Sequence, residues 1–326
     1  MKNNIIEVKS LSKQFKNLTA VDKVEFAVQE GELFGFLGPN GAGKSTTINM
    51  LCTLLRPSSG DATINGYRVT SQSGLVRKSI GLVFQDQSID EELTALENLK
   101  FHANMYGVPR REAVERINSV LSMVELSDRK NDLVKFYSGG MKRRLEIARG
   151  LLHYPRVLFL DEPTIGLDPQ TRKHIWEYNY QLKEQENITI FLTTHYMEEA
   201  ENCDRVAIID HGEIIALDTP DQLKQKVGGD IITVRTKDNK TASAKITERY
   251  GVEPKISKDT MQFEVTHGDE FIVRFVQDFK DEITSINLHR PTLNDVFLKL
   301  TGHAIRDEEA SGADRMRSRM KRRRRR

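Results

Sequence analysis

The chemistry of this chain is concentrated first in a glycine-rich run of nine residues. Its pattern is Gly-x4-Gly-Lys-Ser, in which backbone N–H groups freed by the glycines can surround phosphate oxygens. A short apolar strand precedes the run and a helical pattern follows it, which favours a nucleotide site over an unliganded turn. Lys44 is predicted to reach the β- and γ-phosphates, and Ser45 to offer its hydroxyl to Mg²⁺. The run consists of Gly38, Pro39, Asn40, Gly41, Ala42, Gly43, Lys44, Ser45 and Thr46.

A second element is the apolar segment 157–160, which ends in the carboxylates Asp161 and Glu162. In a parallel sheet such strand ends face the ligand crevice. Asp161 is predicted to hold Mg²⁺, directly or through water, and Glu162 to orient and polarise the attacking water. The alternative for this motif taken alone is a solvated strand end stopped by Pro163.

Two further polar residues end predicted strands. Gln85 follows the segment 80–84 and His195 follows the segment 188–193. Either side chain could approach a γ-phosphate or its water, although each on its own could equally be a loop or structural residue. Gln85 is also counted with Ser45 and Asp161 among the expected metal ligands.

Ser138, Gly139 and Gly140 stand immediately before a helical pattern. Ser138 can cap that helix, and the free N–H groups at its start can bind an anion. One chain cannot easily present two phosphate cradles to one γ-phosphate from opposite sides, whereas a second copy turned head to tail can. Taken alone, the three residues are also compatible with a plain glycine turn and helix cap.

With these motifs in order, residues 1 to about 226 resemble the ATP-binding-cassette (ABC) ATPases. The resemblance implies that Phe15 stacks on adenine, where the family usually has an aromatic residue. It implies that Asp168 bridges a dimer interface, that His195 contacts the γ-phosphate, and that Glu162 is the general base. The motifs that carry it are the loop 38–46, Gln85, Tyr137–Met141, Asp161-Glu162, Gly166-Leu167-Asp168 and His195.

The segment from Tyr137 to Leu145 departs from the family's commonest signature, which starts with Leu and ends with Gln. Tyr137 and Met141 stand at those places, while the central Ser-Gly-Gly is intact. This segment instead resembles the daunorubicin-resistance subgroup of ABC export ATPases. Residues 291–303 resemble the C-terminal motif of the same subgroup.

The elements that must position these residues alternate between strands and helices, which predicts an α/β fold with a mostly parallel sheet covered on both faces. The resemblance implies a P-loop NTPase fold with an antiparallel β subdomain and a helical subdomain at about 86–155. A hairpin is expected over 61–69, a helix over 44–55 stopped by the Pro57 segment, and helices over 94–126 broken at residues 107–109.

A boundary is predicted at residues 227–230, after an ABC domain of residues 1–227. Beyond it the order βαββαβ predicts a small α+β domain, assigned to residues 228–303, with a last helix at 291–300. Nothing in this domain carries recognisable chemistry, so its role is left open between structural and regulatory.

Bulk composition shows a mildly acidic body with a basic end. The chain has 49 basic and 47 acidic residues, of which nine basic and one acidic lie in residues 314–326, leaving 40 and 46. A run of like charges cannot pack, so residues 304–326 are predicted to be a disordered polybasic tail. It could contact anionic lipid, bind RNA or DNA, or have no specific partner.

No apolar run approaches the length of a membrane helix, and the N-terminus lacks the apolar core of a signal peptide. The resemblance therefore implies the ATPase subunit of an exporter: ATP and Mg²⁺ as cofactors, a head-to-tail homodimer, and a separate membrane permease docked near residues 85–87 and 94–126. Such a subunit would be cytoplasmic and peripheral at the inner face of the cell membrane.

The alternative is a soluble ABC ATPase acting on the ribosome or on nucleic acid. It is disfavoured because translation relatives usually carry two cassettes and DNA-repair relatives a long coiled coil, and neither is found here. An idle interaction protein is disfavoured because every expected hydrolytic residue is present. The cargo is left open among drugs, lipids and polysaccharides.

Overall fold

A computed structural model of the 326-residue chain describes residues 3–226, 228–257, 259–280 and 282–302. The predicted polybasic tail at 304–326 and Val227, at the predicted domain boundary, lie outside the described residues. Within the described ranges, every helix is too short or too polar to span a lipid bilayer.

The strands and helices of residues 3–226 alternate as expected. The strands are β1 (Asn4–Phe15), β2 (Leu18–Gln29), β3 (Leu33–Leu37), β4 (Ser59–Ile64), β5 (Tyr67–Arg68), β6 (Ile80–Val83), β7 (Val157–Asp161), β8 (Thr189–Thr194), β9 (Arg205–Asp210) and β10 (Glu213–Asp218). The helices are α1 (Lys44–Leu51), α2 (Ser73–Ser79), α3 (Ala95–Met105), α4 (Arg110–Met123), α5 (Gly139–Leu151), α6 (Pro169–Glu186), α7 (Met197–Ala200) and α8 (Pro220–Gln225).

A six-stranded sheet forms the centre, in the order β10-β9-β3-β8-β7-β6. Its neighbours are parallel except for β10, which pairs antiparallel with β9. Alternate residues of each central strand enter different cores: Leu158 and Leu160 of β7 pack on one face, Val157 and Phe159 on the other. The predicted α/β fold with a two-faced parallel sheet is therefore confirmed.

One face of this sheet is covered by a second, antiparallel sheet in the order β2-β1-β4-β5. Four phenylalanines of β2, β3 and β8 fill the space between the sheets, with ring centroids 5.5–5.9 Å apart where Phe191 meets Phe26, Phe34 and Phe36. The hairpin expected over 61–69 is present as β4 and β5, with Asn65 and Gly66 at positive φ in the turn.

Helices α3 to α6 cover the opposite face. Thr94 begins α3 with a capping box to Glu97, and α4 starts after Pro109, so the predicted interruption at residues 107–109 is confirmed. Ile117, Val120 and Leu121 of α4 are buried in the same core as the sheet.

One prediction about local structure was wrong. The helix expected over 44–55 ends at Leu51, because the backbone turns into the left-handed region at Thr53 (φ 61°). Leu54, which falls within the predicted helix, is 53% exposed. Helix α2 was not predicted, since its seven residues are mostly polar and Gln72 caps it without a side-chain hydrogen bond.

The C-terminal part confirms the predicted order βαββαβ. Its elements are β11 (Asp230–Thr236), α9 (Asn239–Tyr250), β12 (Lys255–Ser257), β13 (Thr260–Val265), α10 (Gly268–Asp278) and β14 (Ile283–His289). The strands form an antiparallel sheet in the order β12-β13-β11-β14, with its own core of Ile232, Val234, Ile246, Phe263 and Phe275.

The last described helix, α11 (Leu293–Thr301), does not join that core. Its buried residues Leu293, Val296 and Phe297 belong to the apolar cluster of the central sheet, and α11 packs against α7 and α8. The backbone N–H of Leu293 also donates to Glu201, 3.3 Å away, just after α7. The division of the chain at residues 227 and 228 stays a prediction, and α11 returns across it.

Candidate functional site

The glycine-rich loop joins the end of β3 to the start of α1. Two of its glycines are required by the packing of the loop itself. A Cβ on Gly38 would lie 2.3 Å from the carbonyl oxygen of Ile209, and one on Gly43 would lie 2.5 Å from that of Ala20. Gly43 also has a φ of 107°, which favours glycine. The loop is therefore held against β9 and β2. The first residues of α1 line a cleft beside it.

Lys44 is buried at the base of this loop. Its Nζ donates to the carbonyl oxygens of Gly38 (2.8 Å) and Pro39 (3.1 Å) and lies 3.1 Å from Oε1 of Glu162. The loop borders a cleft of about 400 Å³. The lining contains the predicted site residues Phe15, Asn40, Gly41, Gly43, Lys44, Ser45, Thr46, Gln85 and Glu162. The structure thus brings nine of the predicted site residues to one cavity.

Ser45 and Asp161 lie side by side, with the Ser45 Oγ 3.3 Å from Asp161 Oδ1. Thr193 of β8 donates to the same Oδ1 at 2.5 Å. Burial raises the pKa of Asp161 above its usual range, against the opposing effect of the two hydroxyls. A hydroxyl and a carboxylate oxygen from separate elements are the donors that Mg²⁺ prefers. The residues present therefore fit the ion, with Gln85 exposed at the rim of the same cleft.

Glu162 sits one residue beyond β7 in a strained conformation, with a φ of 46°. Its N–H donates to Thr193 Oγ1 (3.0 Å), which fixes the turn. Oε1 lies 3.3 Å from Nδ1 of His195, the residue that directly follows β8. Burial alone would raise the pKa of Glu162, but His195 and Lys44 together lower it. The carboxylate is therefore held in its charged form.

The Ser138-Gly139-Gly140 element lies at the start of α5, and Ser138 caps it by accepting from the N–H of Met141 (3.3 Å). A Cβ on Gly140 would lie 2.4 Å from Cγ2 of Thr171, in the first turn of α6. By contrast, a Cβ on Gly139 would meet only Leu167 Cδ2, at 3.8 Å. Gly139 is therefore not required by packing within the described chain.

Asp168 caps the neighbouring helix α6, accepting from the N–H and the hydroxyl of Thr171 at 3.0 and 2.6 Å. Asp168 and the Ser-Gly-Gly element thus share one surface, joined through Thr171. None of Ser138, Gly139, Gly140 and Asp168 lines the cleft of Lys44. Within one described chain, nine of the predicted site residues line the cleft of Lys44, whereas these four lie on a separate surface.

Several residues of this region were missed in the sequence. The Thr193 hydroxyl donates to Asp161 and accepts from the N–H of Glu162. The feature of the sequence that could have indicated this role is the pair of threonines just before His195. Glu199 of α7 is buried and accepts from Thr194 Oγ1 (2.7 Å) and from Thr164 Oγ1. Arg143 is a buried cation, and its signal was the Arg-x-x-Glu spacing on a helix.

Comparison with known proteins supports one family throughout the chain. Residues 21–165 match the family profile described as "ABC transporter". Residues 219–301 match the profile described as "ATP-binding protein DrrA1-3-like, C-terminal domain". The second match includes residues 291–301, which belong to the segment that resembles the C-terminal motif of the daunorubicin-resistance subgroup.

Two curated relatives match over nearly their whole lengths. The linearmycin resistance ATP-binding protein LnrL of Bacillus subtilis is 36% identical over 93% of this chain and 100% of the relative. The daunorubicin/doxorubicin resistance ATP-binding protein DrrA of Streptomyces peucetius is 38% identical over 94% of this chain and 96% of the relative.

Solved structures agree with the fold. The ATP-binding cassette MJ0796, a dimer in a post-hydrolysis state with ADP and phosphate, is 28% identical with a TM-score of 0.60 over 66% of this chain and 98% of that chain. CbiO1 of Clostridium perfringens, part of the transporter complex cbiONQ, is 27% identical with a TM-score of 0.64 over 77% and 97%. This chain therefore belongs to the ABC transporter ATP-binding proteins, in the daunorubicin-resistance type, and is an ATP-binding ATPase.

Proposed function

We propose that this chain is the ATP-hydrolysing subunit of an exporter and that it works as a head-to-tail homodimer beside a separate membrane permease. The observation that carries the proposal is the separation of the two sets of site residues. The cleft of Lys44 and the surface of Ser138 and Asp168 are distinct in one chain. A second copy turned head to tail would place the Ser138 surface against the Lys44 cleft.

In this proposal the cleft binds ATP through the loop 38–46, with Phe15 stacked on the adenine. Phe15 is 44% exposed at the edge of the cleft, so part of its ring is accessible to a base. Ser45, Asp161 and Gln85 would hold Mg²⁺, which when bound neutralises charge on the phosphates. Glu162 orients the attacking water, and His195 contacts the γ-phosphate.

The open space at Gly139 supports the other half of the site. Since no atom of the described chain needs that space, the absence of a side chain there fits the approach of a phosphate group from the partner subunit. Ser138, Gly139 and Gly140 would bind the partner's nucleotide, and Asp168 would lie across the interface. Closure of the dimer by ATP and its reopening after hydrolysis would drive transport.

The permease contact is assigned to the apolar side chains exposed on α3. Phe101 is 56% and Met105 is 68% exposed, and Phe84, beside Gln85, is 37% exposed. Phe101 and Met105 are four positions apart on α3 and so lie on one face of the helix, and exposed apolar side chains on one face are typical of a protein interface. The subunit would thus be cytoplasmic and peripheral at the membrane through its permease. The two relatives are linearmycin and daunorubicin/doxorubicin resistance proteins, which favours a drug-like or antibiotic cargo.

The tail at 304–326 is proposed to contact anionic lipid, because the nine basic residues at 315–326 would lie close to the membrane beside a permease. Co-sedimentation of the full chain and a 1–313 truncation with vesicles containing phosphatidylserine tests this. We expect binding of the full chain to be stronger and to fall with salt. Equal, salt-independent binding of the two proteins rejects it.

The dimer is tested with the variants Glu162→Gln and Ser138→Arg. Glu162→Gln is expected to elute as a dimer with MgATP and as a monomer without it, because it binds but cannot hydrolyse. Adding Ser138→Arg to that variant should abolish the ATP-dependent dimer while leaving ATP bound. Ser127→Arg, which adds the same charge at an exposed position of a short 3-10 helix after α4, is the matched control.

The kinetic readout is the ATPase activity per chain upon dilution. It is expected to fall as the dimer dissociates and to be absent in Ser138→Arg. Activity that is constant per chain down to monomer concentrations, together with normal activity of Ser138→Arg, would show that one chain hydrolyses ATP alone.

A further inference from the structure

Arg143 is a buried cation that joins three segments of the site region. It lies in the second turn of α5 and is 6% exposed. Nε and both terminal nitrogens donate to backbone carbonyls at the ends of two strands. These bonds are Nε to Pro163 O (2.7 Å), Nη1 to Phe84 O (2.5 Å), and Nη2 to Asp161 O (3.2 Å) and Glu162 O (3.3 Å).

The charge of Arg143 is balanced by Glu146, one turn further along α5. Nη1 also donates to Glu146 Oε2 at 2.9 Å, and Glu146 is fully buried. The other oxygen of Glu146 accepts from the N–H of Ser88 at 2.8 Å. Arg149, on the next turn, donates to the carbonyl of Ser88 at 2.9 Å.

These contacts fix both ends of the loop at residues 85–87. Phe84, before it, is held by Arg143, and Ser88, after it, is held by Glu146 and Arg149. Between them Gln85 is exposed and reaches the cleft. One face of α5 therefore fixes the loop that carries Gln85.

The same guanidinium holds the turn at Glu162, whose φ of 46° is costly for a residue with a side chain. Such a conformation persists when its surroundings determine it, and here Thr193 and Arg143 bind the backbone on either side of the residue. A planar fork with five donors suits this arrangement of carbonyls, whereas an ammonium has three donors from one atom.

We propose that Arg143 is a positioning residue for ATP hydrolysis, which couples the helix that begins at Ser138 to the backbone of Glu162 and to the Gln85 loop. A shift of α5 upon dimer closure would then be transmitted directly to both residues. The inference rests on the proposed function for the roles of Ser138, Glu162 and Gln85. It adds a residue that touches neither ATP nor the attacking water.

The test compares Arg143→Lys with the double variant Arg143→Gln/Glu146→Gln in the full chain. Lysine keeps the charge beside Glu146, and the double variant removes the charge pair without leaving either member buried alone. We measure the melting temperature, the kcat and KM of MgATP hydrolysis, and the Kd of ATP by calorimetry without Mg²⁺, so that no turnover occurs.

For a positioning residue, kcat falls at least about tenfold in both variants, whereas the KM and Kd for ATP stay within about threefold. The double variant is expected to fold with a melting temperature near that of the parent and yet to remain slow. Arg116→Gln is the control, since Arg116 also pairs with a glutamate on its own helix and reaches a carbonyl, that of Leu152.

Two results would contradict the proposal: a normal kcat in Arg143→Lys, or a double variant with the melting temperature and kcat of the parent. Either would show that Arg143 only fills space and balances the charge of Glu146. Failure of both variants to fold would overturn the proposal in the same way. Glu162→Gln is assayed in parallel. If it hydrolyses ATP normally the proposed function fails, and if it is inactive while the Arg143 variants are fast, only this inference fails.

Discussion

The Nζ of Lys44 lies 3.1 Å from Oε1 of Glu162, and both side chains are almost completely buried. One residue is proposed to bind the phosphates of ATP and the other to orient water. Because the pair is shielded from solvent, loss of either partner leaves a buried charge without its counterion. The ion pair therefore links the folding stability of the chain to nucleotide binding.

Glu162→Gln is expected to lower the stability of the chain without nucleotide by about 3 kcal/mol, because Lys44 loses its counterion. ATP phosphates would restore a counterion, so the rise in melting temperature upon adding ATP should be larger in the variant. Thermal unfolding with and without MgATP measures both effects. Glu184→Gln, at an exposed glutamate, is the control. An unchanged ATP-induced shift would mean that Lys44 does not exchange Glu162 for phosphate.

The two glycines of the Ser-Gly-Gly element should respond differently to alanine. In Gly140→Ala the new Cβ meets Thr171, whose hydroxyl is bound to Asp168, so we expect a loss of about 1–3 kcal/mol in stability. In Gly139→Ala the added methyl has room, and alanine favours the helix by up to about 1 kcal/mol.

Gly139→Ala should nevertheless lose at least about tenfold in ATPase activity, because the methyl occupies the place proposed for the partner's phosphate. Urea unfolding and steady-state hydrolysis of the two variants separate these effects. Full activity in a stable Gly139→Ala protein would argue against that place for the phosphate.

The pH dependence of activity should be set in part by Asp161. Burial raises the pKa of its carboxyl, so activity that needs the ionised form should be lost at a higher pH than for an exposed aspartate. The Thr193 hydroxyl opposes this effect. Thr193→Val should therefore raise the pKa further and move the acidic limb of the MgATPase profile to higher pH.

Thr193→Ser keeps the hydroxyl and is the control for the Asp161 effect. The midpoint of the limb is the readout rather than the maximal rate, because Thr193 also binds the backbone of Glu162. A midpoint that does not move in Thr193→Val would mean that another group sets the limb.

Because α11 packs into the core of the central sheet, two fully buried phenylalanines should differ in their effect on the thermal stability of ATP hydrolysis. Phe297→Ala should destabilise the ATPase part, residues 3–226, by about 3–5 kcal/mol. It should also lower the temperature at which hydrolysis is lost. Phe275→Ala makes a similar cavity in the core of the C-terminal sheet and should leave that temperature nearly unchanged. Equal inactivation temperatures would show that α11 contributes nothing to the ATPase part.

The sequence allowed accurate prediction wherever local pattern and chemistry coincide. The loop from Gly38 to Thr46 needs a strand before it and a helix after it, and parallel strands must bring their ends at Asp161 and His195 to one edge. The βαββαβ order could also be read from apolar periodicity. The structure does bring the strand-end residues Glu162 and His195 within 3.3 Å of each other, while their roles in hydrolysis stay predictions.

Contacts between distant segments could not be predicted in this way. Arg143 reaches carbonyls 59 positions earlier and 18 to 20 later, and a basic residue on a helix usually lies in solvent. The return of α11 depends on where the C-terminal sheet ends, which no pattern in residues 293–301 specifies. The end of α1 at Leu51 depended on a left-handed backbone at Thr53, which is uncommon for threonine.

Two connecting segments join the C-terminal sheet to residues 3–226, the ATPase part. One follows α8, and the other leads from β14 into α11. A module tethered at a single point can swing in any direction, but one tethered at two is limited to rotation about the line that joins them. The second connection ends in α11, which packs on α7, and α7 begins two residues after His195. The C-terminal sheet is therefore constrained at two points, one of which lies close in the chain to that histidine.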